Sequence, residues 1–140
     1  MVKLLALDLD GTCLNWNNKI SSKTMAALKK AAQQGVEIIF ATGRSYASIP
    51  YQLKKERFFR YVISSNGAAI TEHSTNRVIF HSYIPLYTAL SILKRARKMR
   101  FGLTIHIDSK HVLESTKLKF LGKIIKPRRN PLRGFIIARF

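Results

Sequence analysis

The feature that most constrains this chain is its first apolar run. Val2-Lys3-Leu4-Leu5-Ala6-Leu7 stops abruptly at Asp8-Leu9-Asp10-Gly11-Thr12. A short, nearly continuous apolar run predicts a strand buried on both faces, as in a parallel sheet covered by helices. Open α/β sheets hold their chemistry at the carboxyl ends of such strands, where the two aspartates stand. The pattern then repeats. Ser21 or Ser22 supplies an N-cap, Met25, Leu28, Ala31 and Ala32 make one apolar stripe over Thr24 to Gln34, and Gly35 supplies a C-cap, so an amphipathic crossover helix is expected. Val36 to Ala41 predicts a second strand ending in Thr42-Gly43-Arg44. Arg60 to Ser65 predicts a third, ending at the Asn66-Gly67 turn.

The remaining elements follow from punctuation. A helix is expected over Ser45 to Lys55, shifted or kinked at Pro50. Ala68 to Ile70 and Arg77 to Ser82 read as a hairpin. A boundary is set near Pro85, after which Leu86 to Arg100 has helical period, and Leu103 to Ile107 and His111 to Glu114 read as short strands about a turn. The expected organisation is therefore an α/β core over residues 1–84, the start of a second domain over 85–114, and a basic tail over 115–140.

Composition excludes several classes. Hydrophobic residues make up 46% of the 140, which rules out a disordered or collagen-like chain. No apolar run approaches the about 18 residues of a membrane span, and Asp8 interrupts any signal-peptide core, so a cytoplasmic location is expected. Lys and Arg number 25 against 7 Asp and Glu, a net charge of +18. The excess is uneven, because eight basic residues and no acidic one follow Glu114. That tail lacks any nucleic-acid signature beyond charge, which argues against nucleic acid as the partner. Cys13, the single cysteine, reads as a small packing residue. His106, Asp108 and His111 stand at a turn where solvated side chains are the plainer reading than a metal site.

The chemistry is carried by the carboxylate pair. Asp8 extends from the strand end, and the turn allowed by Gly11 brings Asp10 beside the same substrate atom, so one carboxylate can attack while the other handles a proton. Oxygen ligands of this kind also suit Mg²⁺, which commonly takes one or two carboxylates and completes its shell with water and substrate phosphate. A bare D-x-D is equally compatible with a solvated turn.

DLDGTCL after an apolar strand, then ATGR and SSNG at the next two strand ends, together resemble the haloacid dehalogenase (HAD) superfamily and its Cof-like phosphatases. The resemblance covers roughly residues 3–114. It implies a partial Rossmann-like core with a parallel sheet and the start of an α+β cap. It implies Mg²⁺-dependent hydrolysis of small phosphorylated metabolites through an aspartyl-phosphate. Asp8 would be nucleophile and metal ligand, and Asp10 general acid and base with its backbone carbonyl on the metal. Leu9, Thr42 and Gly43 would hold the phosphate. Arg44 is either a substrate contact or a helix-start ion pair, and Asn66 either lines the cleft or serves its turn with Gly67. Trp16 and Asn17-Asn18 fall in the family's squiggle-and-flap hairpin, with no chemistry assigned.

The family's later lysine and its G-D-x-x-N-D motif have no counterpart after Glu114. Weak Mg²⁺ binding and little turnover are therefore expected of a truncated or frameshifted chain. With the later strands missing, Leu4 to Leu7 is expected at an open, aggregation-prone sheet edge. The rival reading is a complete small binding protein whose basic tail meets nucleic acid or an anionic membrane.

Overall fold

The computed structural model describes residues 2–98, 104–107, 111–114 and 135–138. The chain divides into two compact units, Met1–His81 and Ser82–Phe140.

The first unit is built on a five-stranded sheet in the order β1-β2-β3-β4-β5. Strand β1 (Leu4–Leu7) runs into the Asp8 turn and a short hairpin, followed by helix α1 (Ser22–Gln33), β2 (Glu37–Ala41), helix α2 (Tyr51–Lys54), β3 (Tyr61–Ser64), β4 (Ala69–Glu72) and β5 (Arg77–His81). Strands β1, β2 and β3 pair in parallel, and the β3-β4-β5 meander pairs antiparallel. Helix α1 begins where a hydroxyl is available to cap it, the Ser21 side chain accepting from the Thr24 amide at 3.0 Å. It packs Leu28, with Met25, Ala31 and Ala32, on a core of Leu9, Ile38, Phe40, Leu53, Phe59 and Val62. Phe40 meets Phe59 edge to face, with centroids 4.9 Å apart.

Two expectations are corrected here. The helix over Ser45 to Lys55 is two pieces, a 3₁₀ turn at Tyr46–Ser48 and α2. Pro50 stands between them with φ −54° and has no amide to donate, so one continuous helix cannot pass through it. Strand β1 is not buried on both faces. It lies at the sheet edge, and Leu4 remains 53% exposed. The expected open edge is the same fact: among the described strands β1 pairs only with β2.

The second unit contains helix α3 (Leu86–Lys98) and a three-stranded antiparallel sheet in the order β7-β6-β8, made of β6 (Thr104–Ile107), β7 (His111–Glu114) and β8 (Phe135–Ala138). The basic segment thus contributes a paired strand. Asp108 of the His106/His111 turn lies outside the described residues. No described helix is long and apolar enough to cross a membrane.

Candidate active site

The site is assembled at the carboxyl ends of β1, β2 and β3. Beyond Leu7 the chain turns through Gly11, whose φ of +72° favours glycine. The buried Leu9 anchors this turn, its carbonyl accepting from the amides of Cys13 (3.1 Å) and Leu14 (2.9 Å). Asp8 and Asp10 flank it and are both exposed. Thr12 Oγ1 donates to Asp8 Oδ2 at 3.4 Å, a long bond that leaves the Asp8 oxygens largely available to a ligand.

The end of β2 is zipped to the end of β3. The Thr42 amide donates to the Ile63 carbonyl (2.9 Å), the Ser65 amide to Arg44 (2.8 Å) and the Asn66 amide to Thr42 (3.2 Å). Ser65 and Asn66 both adopt left-handed backbone, with φ of +52° and +55°. Two adjacent non-glycine residues held there carry strain that the zipped turns maintain. Gly43 is fixed by close approach, because a Cβ there would come 2.9 Å from Asn66 Oδ1. Asn66 therefore serves its turn and also packs against the β2 end. Thr42 is buried, and its hydroxyl accepts from the Arg44 amide at 3.1 Å.

Arg44 joins the two turns. Its Nε donates to both Asp10 oxygens at 3.0 and 2.8 Å, and its Nη2 donates to Asp10 Oδ1 at 2.5 Å. Nη2 also reaches Asn18 Oδ1, and Nη1 reaches the Ser48 carbonyl at 3.3 Å. Arg44 is thus ion-paired with the carboxylate at the end of the neighbouring strand β1, a partner that neither of its two expected roles, substrate contact or helix-start ion pair, had named. The Arg44 hydrogen bonds hold the Asp10 carboxyl below the ordinary carboxylate range, against a smaller opposing effect of burial. Burial, aided by the Asp8 charge, raises the Cys13 thiol, and Cys13 belongs to the buried core cluster with Leu9 and Leu14.

Sequence reasoning missed Asn18. Its signal was the adjacent Asn17-Asn18 pair in a loop, since asparagine tolerates the left-handed backbone that Asn18 adopts at φ +56°.

The described residues contain no group of three His, Cys, Asp or Glu side chains able to hold a metal ion. The donors at the β1 end are nonetheless hard oxygens, from the exposed Asp8 carboxylate and the Asp10 carbonyl. They suit Mg²⁺ as a partial shell that water and phosphate oxygens complete.

Comparison with known proteins sets this geometry in a family. A model of haloacid dehalogenase-like hydrolases matches residues 5–132, which takes in most of the basic segment. A phosphatase of Bacillus subtilis is 35% identical over 92 residues, covering 66% of this chain and 32% of that protein. An HMP-PP phosphatase of Yersinia pestis is 38% identical over 76 residues, covering 54% and 28%. A haloacid dehalogenase-like hydrolase structure from B. subtilis superposes with a TM-score of 0.71 at 29% identity, over 88% of this chain and 42% of that one. A subclass IIB sugar phosphatase gives 0.69 at 26%, over 89% and 48%. The chain spans about a third of the length of these curated relatives. It belongs to the haloacid dehalogenase-like hydrolases.

Proposed function

We propose that the chain takes part in Mg²⁺-dependent phosphoryl transfer to water from small phosphorylated metabolites in the cytoplasm. The observation that carries the reading is the convergence of the strand ends: an exposed Asp8, the Thr42-Gly43 turn zipped to Asn66, and Arg44 gripping Asp10. Named relatives that are phosphatases of HMP-PP and of sugars support the same class.

Asp8 attacks phosphorus through a carboxylate oxygen, and the substrate's alcohol oxygen leaves with a proton from Asp10. Water then attacks the aspartyl-phosphate while Asp10 takes its proton, releasing phosphate and restoring Asp8. The backbone amides of Leu9 and Gly43 and the Thr42 hydroxyl bind the equatorial oxygens of the transferring group. The Arg44 grip favours the carboxylate of Asp10, the form that accepts the proton of water; the acid form that the first step needs is reached by taking up a proton from solvent. Asp8 and the Asp10 carbonyl would hold Mg²⁺, which would supply positive charge between nucleophile and phosphate. The segment from Pro85 onward begins the cap that selects the substrate.

With one free carboxylate among the donors described, Mg²⁺ binding is weak and turnover slow. The test is phosphate release from glucose 6-phosphate with and without Mg²⁺. Slow, Mg²⁺-dependent release is expected, abolished in Asp8→Asn and reduced about a hundredfold or more in Asp10→Asn. Undiminished release from Asp8→Asn would overturn the reading.

A further inference from the structure

The chain's only tryptophan, Trp16, is also the most exposed large apolar side chain among the described residues, at 103% of the reference exposure. A tryptophan in a folded domain ordinarily buries most of its ring, since a large apolar face in water is unfavourable. Trp16 is not exposed through looseness of its loop. Its segment is a tight hairpin anchored by the buried Leu14 and Ile20, which form an antiparallel bridge, and Leu14 also bridges Asp10. Asn15 Oδ1 accepts from the amides of Asn17 and Lys19, both at 3.0 Å. The Asn15 amide donates to the Lys19 carbonyl (2.9 Å), the Asn18 amide to Asn15 (2.9 Å), and the Ile20 amide to Gln52 Oε1 (3.3 Å). These bonds fix the loop backbone, and the indole stands away from the core.

Its position gives that exposure a use. Trp16 lines a depression of about 340 Å³ together with Asp10, Gly11, Leu14, Asn15 and Asn18, which is the size of a small-ligand site. A ligand in this depression meets Asp10 and Trp16 at once. The neighbouring depression, which shares Asn18 with it, contains the exposed Tyr51, but Lys55 Nζ already lies 4.3 Å over that ring. Among the described residues no ring or cation lies over Trp16.

We propose that Trp16 is a pre-formed stacking platform for the planar heteroaromatic part of a phosphorylated substrate, beside the site that handles its phosphate. This rests on the phosphoryl-transfer reading above and narrows the substrate class to phosphate esters of compounds bearing a flat, nitrogen-containing ring. An indole has only two side-chain torsions to fix, so stacking on it costs little conformational freedom. Asn15 and Asn18 line the same depression.

The full chain with Mg²⁺ is titrated with adenosine 5′-monophosphate and, separately, with ribose 5-phosphate, which has the same sugar and phosphate but no base. Because Trp16 is the sole tryptophan, its emission reports on the platform alone. The nucleotide is expected to quench that emission and to bind about tenfold tighter than ribose 5-phosphate. Trp16→Leu should remove the difference and leave ribose 5-phosphate affinity unchanged, and Trp16→Phe should retain part of it. Equal affinities with unmoved emission, or a nucleotide preference that survives Trp16→Leu, would overturn the proposal. Quenching by adenosine and its monophosphate, with no binding of ribose 5-phosphate or inorganic phosphate, would support the platform and instead overturn the phosphate-handling reading.

Discussion

Arg44 and Asp10, 34 residues apart in sequence, form a forked ion pair in which Nε donates to both carboxylate oxygens at 3.0 and 2.8 Å. It ties the β2 turn to the β1 turn. A lysine cannot reproduce the fork, because its ammonium is a point charge on a flexible stem. In Arg44→Lys the Asp10 carboxyl is expected to titrate closer to its ordinary value of 3.8, as read by carboxyl-carbon NMR. Both side chains are partly solvated, so the stability loss should stay under about 1 kcal/mol. An unchanged Asp10 titration would show that the pair does not set it.

Gly43 tests the contact between the β2 and β3 ends. Gly43→Ala places a methyl 2.9 Å from Asn66 Oδ1, and the Asn66 side chain must move. A destabilisation of about 1–2 kcal/mol is expected by denaturant unfolding. Asn66→Gly suits the backbone there, at φ +55°, and removes the obstructing atom. The double variant should therefore recover stability relative to Gly43→Ala. Simple additivity of the two changes would contradict the packing described.

His73 gives a pH dependence of known sign. It is buried, stacked on Phe59 with centroids 4.3 Å apart, with its Nε2 3.0 Å from the Glu56 carbonyl and its Nδ1 2.8 Å from the Tyr46 hydroxyl. Burial, with a smaller contribution from Arg57, lowers its pKa below the ordinary 6.5. The folded chain therefore holds fewer protons than the unfolded one in this range. The contribution of His73 is complete above pH 6.5 and is lost as the pH falls through that value toward the lower folded pKa. The loss is at most about 1.4 kcal/mol per pH unit. Thermal unfolding midpoints should fall between pH 7 and pH 5, and the fall should be shallower in His73→Gln.

The parallel β-α-β order was legible because Leu4 to Leu7, α1 and the β2 run each carry a local pattern whose period or length admits one structure. The strand-end motifs were legible for the same reason, since Gly11 and Asn66-Gly67 are demanded by backbone geometry. The burial of β1 was misread because an apolar run records what a strand can bury, whereas its exposure depends on which strands pair beside it. The Arg44 partnership was also hidden. Nothing local to Arg44 specifies a carboxylate 34 residues away, and the alternatives, a phosphate or a nearby helix start, satisfy the same guanidinium. His73 likewise looked unremarkable in Thr71-Glu72-His73, because its partners Tyr46, Glu56 and Phe59 come from segments that only the folded sheet gathers.

The central claim is that Asp8 receives the phosphoryl group. The most direct measurement is mass spectrometry of the chain after incubation with Mg²⁺ and acetyl phosphate, quenched in acid to preserve an acyl-phosphate and digested. The account predicts one phosphoryl group on the peptide carrying Asp8, absent without Mg²⁺ and absent in Asp8→Asn. An unlabelled wild-type peptide, or an equal label in Asp8→Asn, would contradict it.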